Sequence, residues 1–194
     1  MTIVPVALYS QTRATVRIPR NPNYWKFSTN ITISEFIIPT NLNYISVNSV
    51  IAAPSILGLK PTGVELLPKA LREEGLVERL NAEYYGMVTP LSPYSYRRDK
   101  ETKLLNAQTI KDYSLRLADT VNSLLHENKF PIVLGGDCSI LIGNLLALRR
   151  IGRYGLFFID GHADYYRPEE SSTGEVADME LAIVSGHGPD ILVI

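Results

Sequence analysis

Apolar residues recur every three or four positions between residues 106 and 129. Ile110, Tyr113, Leu117, Val121, Leu124 and Leu125 share one side, and Lys111, Arg116 and Asp119 lie off it. This spacing predicts an amphipathic helix with Asn106 at its N-cap. Residues 130–134 are wholly apolar, as in a parallel strand buried on both faces. A second helix is predicted over 139–150, with Ser139 as its N-cap, and a second apolar strand over 154–159. Strand, helix and strand on short links form a βαβ unit. Upstream, residues 44–52 read as a strand that stops at Ala53-Pro54. Residues 64–74 read as a short helix closed by Gly75, with Pro68 near its first turn, where a missing N–H costs least. Residues 84–101, rich in Tyr, Pro and Arg, read as a long loop after a weak strand.

This alternation is that of an α/β domain over residues 43–194. Residues 1–42 differ in texture, with Pro5, Pro19, Pro22 and Pro39 among scattered aromatics and β-branched runs. They are expected to form an extension that crosses the core or packs on a neighbour. A hydrophobic content of 45% with 20% charged residues is that of an ordinary globular chain. The net charge of −1, from 19 Lys and Arg against 20 Asp and Glu, gives no basic face for a nucleic acid. One cysteine cannot form an internal disulfide. The start lacks the basic and apolar regions of a signal peptide. The uncharged stretch 36–59 holds Pro39, Pro54, Asn41, Asn43 and Asn48, which rules against a membrane span. A cytoplasmic protein is expected, and the pattern Asn30-Ile31-Thr32 is read as chance rather than a glycosylation site.

The chemistry gathers at two places. Val133-Leu-Gly-Gly-Asp-Cys-Ser139 follows one predicted strand, and Ile159-Asp-Gly-His-Ala-Asp164 follows the next. Ligand sites of parallel sheets lie beyond the C-terminal ends of the strands. Asp160, His162 and Asp164 offer two carboxylates and an imidazole on one turn, a donor set for Mn²⁺, Zn²⁺, Fe²⁺ or Ni²⁺. Cys138 is a fourth candidate, Gly135 and Gly136 let the backbone turn there, and Asp137 is placed to orient a ligand. His126 reads as a solvated helix-end histidine, and His187 as a loop histidine open to proton transfer.

These motifs and their spacing resemble the arginase/agmatinase (ureohydrolase) family, whose pattern is Gly-Gly-Asp-His-Ser, then Asp-Ala-His-x-Asp, then a later Ser-Phe-Asp-x-Asp. The likeness extends back through Ile51-Ala-Ala-Pro54, Gly58 and residues 63–72, and forward through Ser172-Thr-Gly174 and Met179-Glu-Leu-Ala182. It covers residues 45–190, the N-terminal half of a family domain. The resemblance implies a three-layer α/β/α fold with a central, mainly parallel sheet, here incomplete at its C-terminus. It also implies two Mn²⁺ at the sheet's C-terminal edge and hydroxide attack on a guanidino or amidino carbon, releasing urea and an amine. By matching positions Asp160 bridges both ions, Cys138 and Asp164 serve one and His162 the other. Asp160, His162 and Asp164 are thereby the catalytic set, with Ser172 and Glu175 as substrate contacts.

The sequence departs from the pattern in three ways. Cys138 stands where many members have His, and a softer thiolate favours Zn²⁺ or Fe²⁺ over Mn²⁺. Glu175 and Ala177 stand where arginases proper carry an Asn and a His, so arginine is not the expected substrate. The later Asp pair is absent: two divalent ions bring four positive charges, and Asp160, Asp164 and a Cys138 thiolate return three. One weakly held ion is therefore expected. The competing reading is a catalytically inactive, truncated metal-binding member that acts by association. An exposed sheet edge makes a homo-oligomer the expected state. A deacetylase with a similar sheet is disfavoured, because the chain has no adjacent His pair.

Overall fold

Strand β1 (Asn48–Ala53) lies at the centre of the fold, with Val50 to Ala53 at most 1% exposed. The computed structural model describes residues 47–194. The expected extension over 1–42 and the boundary at 43 lie outside the described residues. β2 (Ala82–Met87) and β3 (Phe130–Gly135) flank β1, both parallel to it, in the order β2-β1-β3. With neighbours on both sides, β1 can be buried from Ser49 to Ala53, apolar after its first two residues. Among the described residues β2 has one ladder, with β1, and stays half-exposed, which is why it reads as a weak strand.

A 3-10 turn (Val64–Leu66), α1 (Leu67–Glu73) and α2 (Leu76–Arg79) connect β1 to β2. Pro68 opens α1 as the sequence predicts. Gly75, at φ 77°, closes α1 and starts α2, so the expected single helix is two short ones after a turn. Helix α3 (Ala107–His126) carries the chain to the other side of β1. It buries Ile110, Tyr113, Leu117, Val121 and Leu124, the face that the spacing predicts. Asn106 occupies the N-cap position at φ 55° but makes no side-chain cap. Its Oδ1 instead accepts from the Ser95 N–H at 2.7 Å, and its Nδ2 donates to the Leu57 carbonyl at 3.0 Å. It fastens two loops rather than one helix end.

Helix α4 (Ile140–Ile151) follows β3 and packs on α3. Gly143 makes this approach possible, since a Cβ there would sit 2.8 Å from the Ser114 carbonyl oxygen. The run 154–159 is not a strand; among the described residues the sheet has three strands. Phe157 is 66% and Ile159 60% exposed, so an apolar segment suited to a buried strand has no ladder to join. Two short elements come after it, a 3-10 turn (Val176–Asp178) and α5 (Glu180–Val184), where the apolar pattern is too brief to predict either. Among the described residues no helix is long and apolar enough to cross a membrane.

Candidate metal centre

β1 and β3 run in register to their C-terminal ends, where Ala53 lies opposite Gly135. The two following loops therefore leave the sheet side by side, and Asp137 clasps them together. Its N–H donates to the Ser55 carbonyl at 3.0 Å. Its carboxylate accepts from the Gly58 N–H at 3.2 Å and the Ser139 N–H at 2.8 Å. Burial pushes the Asp137 carboxyl upward, and these hydrogen bonds pull against that shift. Ser139 is at the N-cap of α4 but makes no side-chain cap. Gly135 and Gly136 serve by their size rather than by an unusual φ. A Cβ on Gly135 would collide with Ile140, and one on Gly136 with the Ser55 carbonyl.

Cys138, Asp160 and Asp164 converge above this clasp. One ligand atom from each lies within 4.8 Å of the other two. The Cys138 thiol donates to Asp160 Oδ2 across 4.0 Å. Asp164 is 7% exposed and sits at φ 44°, a region that a side-chain-bearing residue enters at a cost. α5 holds it there: the Leu181 and Ala182 N–H groups donate to the Asp164 carbonyl at 3.2 and 3.4 Å. Asp160 Oδ1 accepts the His162 N–H at 3.1 Å, which tightens the turn between them. The His162 ring is not brought in. Its side chain is 87% exposed, with Nδ1 3.9 Å from Asp160 Oδ1, so three of the four sequence candidates form the group.

Glu180, on the first turn of α5, was not legible as a site residue. It is fully buried, and among the described residues neither carboxylate oxygen has a hydrogen-bond donor at bonding geometry. Its side chain faces Asp164, and the pair becomes a hydrogen bond once one of the two carries a proton. Burial first, and the Asp164 charge second, push the Glu180 carboxyl up to about 10. Burial also raises Asp164.

The loop bearing the candidate substrate residues is pinned from the side. The Arg98 guanidinium donates to the carbonyls of Lys103 at 2.6 Å, Ser171 at 2.8 Å, Pro168 at 3.1 Å and Ser172 at 3.3 Å. Gly174, at φ 75°, lets the loop pass under it. Ser172 is exposed. Glu175 is buried, with its N–H donating to Thr173 Oγ1 at 3.1 Å. Near Glu175 lies Tyr94, whose buried hydroxyl has no partner among the described residues; burial first and the Glu175 charge second push this phenol up. Arg98→Ala is expected to cost about 2 kcal/mol, as losses of hydrogen bonds from a charged group do. Hydrogen exchange would report it as lost protection of the Leu105 and Gly174 amides, which this loop ties down. His126 ends α3. His187 is exposed, its Nδ1 3.0 Å from the Tyr165 hydroxyl and 3.3 Å from Ser185 Oγ.

The Arginase family pattern matches residues 48–184. An arginase of Staphylococcus aureus strain MSSA476 is 34% identical over 151 residues, covering 74% of this chain and 50% of the relative. An arginase of Bacillus subtilis strain 168 is 36% identical over 150 residues, 75% of this chain and 50% of the relative. The solved structure of Bacillus caldovelox arginase superposes with a TM-score of 0.69 at 31% identity, over 76% of this chain and 52% of that one. The chain belongs to the arginase family. Its parallel sheet with flanking helices is part of the arginase α/β fold, and it spans about half the length of the curated relatives it matches.

For an arginase-family chain the group to test is a divalent ion at the ends of the strands. Donor atoms around one cation stand roughly 3 to 4.5 Å apart, given metal–ligand bonds of about 2.0 to 2.3 Å. The Cys138, Asp160 and Asp164 atoms lie within 4.8 Å of one another, close to that spacing, with Cys138 Sγ 4.0 Å from Asp160 Oδ2. Two carboxylates and a thiolate suit one ion in charge and chemistry. A second ion finds no comparable set among the described residues, because the His162 ring stands in solvent.

Proposed function

We propose that this chain carries the metal-binding half of a ureohydrolase site, which cleaves a non-peptide C–N bond of a small guanidino or amidino compound to give urea and an amine. The convergence of Cys138, Asp160 and Asp164 at the sheet's C-terminal edge, in a chain of this family, carries the reading. A divalent ion held by these three supplies a Lewis acid that lowers the pKa of water and makes hydroxide available near neutral pH.

The rest of the site is work for the chain's own groups. Asp137 keeps Cys138 over the sheet end by closing the 55–58 loop on the 136–139 loop. Glu175, beside Tyr94, supplies negative charge and a phenol where a planar cation could dock, and exposed Ser172 lies on the rim of the same loop. A guanidinium binds a carboxylate through paired N–H donors, so Glu175 suits that substrate class without the amino-acid contacts of arginine. The thiolate shifts the expected metal from Mn²⁺ toward Zn²⁺ or Fe²⁺, with Ni²⁺ compatible.

The competing reading, an inactive member that acts by association, is favoured by one observation. Phe157 and Ile159 are exposed, and a cavity of about 500 Å³ is lined by Leu145, Leu146, Tyr154, Leu156 and Leu192. A second copy of the chain would cover apolar surface there, as the expected homo-oligomer requires. One experiment separates the two: dialysis against Mn²⁺ or Zn²⁺, metal analysis per chain, then a urea-release screen of guanidino compounds alongside light scattering. Bound metal with urea release supports the hydrolase. A metal-free, silent dimer sinks it and leaves the association reading.

A further inference from the structure

We infer that Tyr165 is a positioning residue of the metal centre: through Ser185 and His187, its hydroxyl latches the turn that carries Asp164 onto the far end of α5. The inference rests on the metal-centre reading above. None of the three residues belongs to the Cys138, Asp160 and Asp164 group, which separates their role from that of a ligand.

The Tyr165 hydroxyl lies 2.9 Å from Ser185 Oγ and 3.0 Å from His187 Nδ1, and the Tyr165 and His187 ring centroids are 5.8 Å apart. Counting donors fixes the direction of each bond. The Ser185 hydroxyl has one hydrogen, which goes to the Ala182 carbonyl at 2.9 Å. Ser185 Oγ can then only accept, so the Tyr165 hydroxyl donates to it. That leaves the Tyr165 oxygen as acceptor toward His187, whose Nδ1 must carry a proton. The bonds therefore run from His187 to Tyr165 to Ser185 to Ala182, each side chain donating once. Backbone geometry sets the receiving end, where the His187 N–H also reaches the Ala182 carbonyl, at 2.8 Å, around Gly186 at φ 86°.

Asp164 directly precedes Tyr165, and its carbonyl accepts from the Leu181 and Ala182 N–H groups near the start of α5. Two adjacent residues thus grip α5 at both ends, one by main chain and one by side chain. Asp164 gains from this, because φ 44° is a conformation that a residue with a side chain holds only when its surroundings impose it. Tyr165 is 46% exposed, and Ser185 and His187 are exposed, so the latch adds little to the core and acts locally. Without it, fewer molecules hold Asp164 toward Cys138 and Asp160, and the apparent metal affinity falls by that fraction.

The test is a Co²⁺ titration of the full chain and its variants, with thermal melts alongside. The thiolate-to-cobalt absorption band reports Cys138 ligation directly, without any activity assay. Tyr165→Phe keeps the ring and removes the hydroxyl. His187→Asn keeps a donor where the Nδ1–H stands, and His187→Leu does not. The expected result is binding about five- to tenfold weaker for Tyr165→Phe and His187→Leu, and within about twofold of the unmodified chain for His187→Asn. The Tyr165→Phe, His187→Leu double variant should lose little more than either single one, since one run of bonds is cut. Unchanged affinity for Tyr165→Phe overturns the inference, whether or not its melting midpoint falls. So does His187→Asn binding as poorly as His187→Leu, or a double variant whose losses multiply. Ser185→Ala, with the same expected loss, replaces His187→Leu should that variant not melt cooperatively. An unmodified chain with no band sinks the metal-centre reading and this inference with it. A band with the wrong order of variants sinks this inference alone.

Discussion

Gly136→Ala is expected to destabilise the chain by about 3 kcal/mol, the upper end of ordinary overpacking costs. The added Cβ would collide with the Ser55 carbonyl oxygen and lie 2.6 Å from the Ser55 nitrogen. Those are main-chain atoms, and neither side can yield. The Ser55 carbonyl accepts the Asp137 N–H at 3.0 Å, and the unbroken β1–β3 register fixes both strand ends. Relief requires the two loops to separate, which breaks the Asp137 clasp and takes the Gly58 donor from a buried carboxylate. Gly161→Ala is the control, since a Cβ there meets nothing within 4 Å, and it should stay within about 0.5 kcal/mol. Urea unfolding measures both, with the midpoint lowered and the slope unchanged for Gly136→Ala. A change below about 1 kcal/mol would mean the two loops are not held together as described.

That clasp shows what a sequence can and cannot disclose. Gly135 and Gly136 were legible as special, but the expected reason, a sharp turn, is not the operative one; Gly136 is small because another loop's backbone passes against it. The buried face of α3 was legible because helical periodicity is a local property, and each apolar residue on it declares its direction. The run 154–159 was misread for the opposite reason. A strand exists only through its ladder, and apolar composition does not say whether a neighbour is available. Asp160, Asp164 and Cys138 could be picked out by residue type and spacing at the strand ends. The direction of the His162 ring could not, since alternation names the donors and leaves their rotamers open. Glu180 gave no signal at all. An acid in a short helical stretch ordinarily reads as solvated, and only burial against Asp164 reveals otherwise.

Asp160→Ala and His162→Ala should separate by two orders of magnitude in metal affinity, although both residues belong to the same motif. Asp160 has a carboxylate oxygen beside the Cys138 thiol and within ligand spacing of Asp164, and its side chain is 14% exposed. Removing it deletes one of three donors and one of three negative charges. The loss should be roughly 100-fold or more, at or beyond the largest cost usual for residues that merely orient a ligand. It also frees the His162 N–H from Asp160 Oδ1, so the turn that brings Asp164 back toward Cys138 loosens. His162→Ala removes a ring that is 87% exposed and leaves that backbone hydrogen bond in place. Its effect on a single ion should stay within about threefold, the scale of 0.6 kcal/mol. Co²⁺ titration read on the thiolate band measures both variants on one scale. If His162→Ala instead abolishes binding, the ring must swing from solvent onto the ion. Equal losses from both variants would therefore argue that the His162 ring is a ligand as well, and unequal losses for the three-residue site that the Cys138, Asp160 and Asp164 geometry favours.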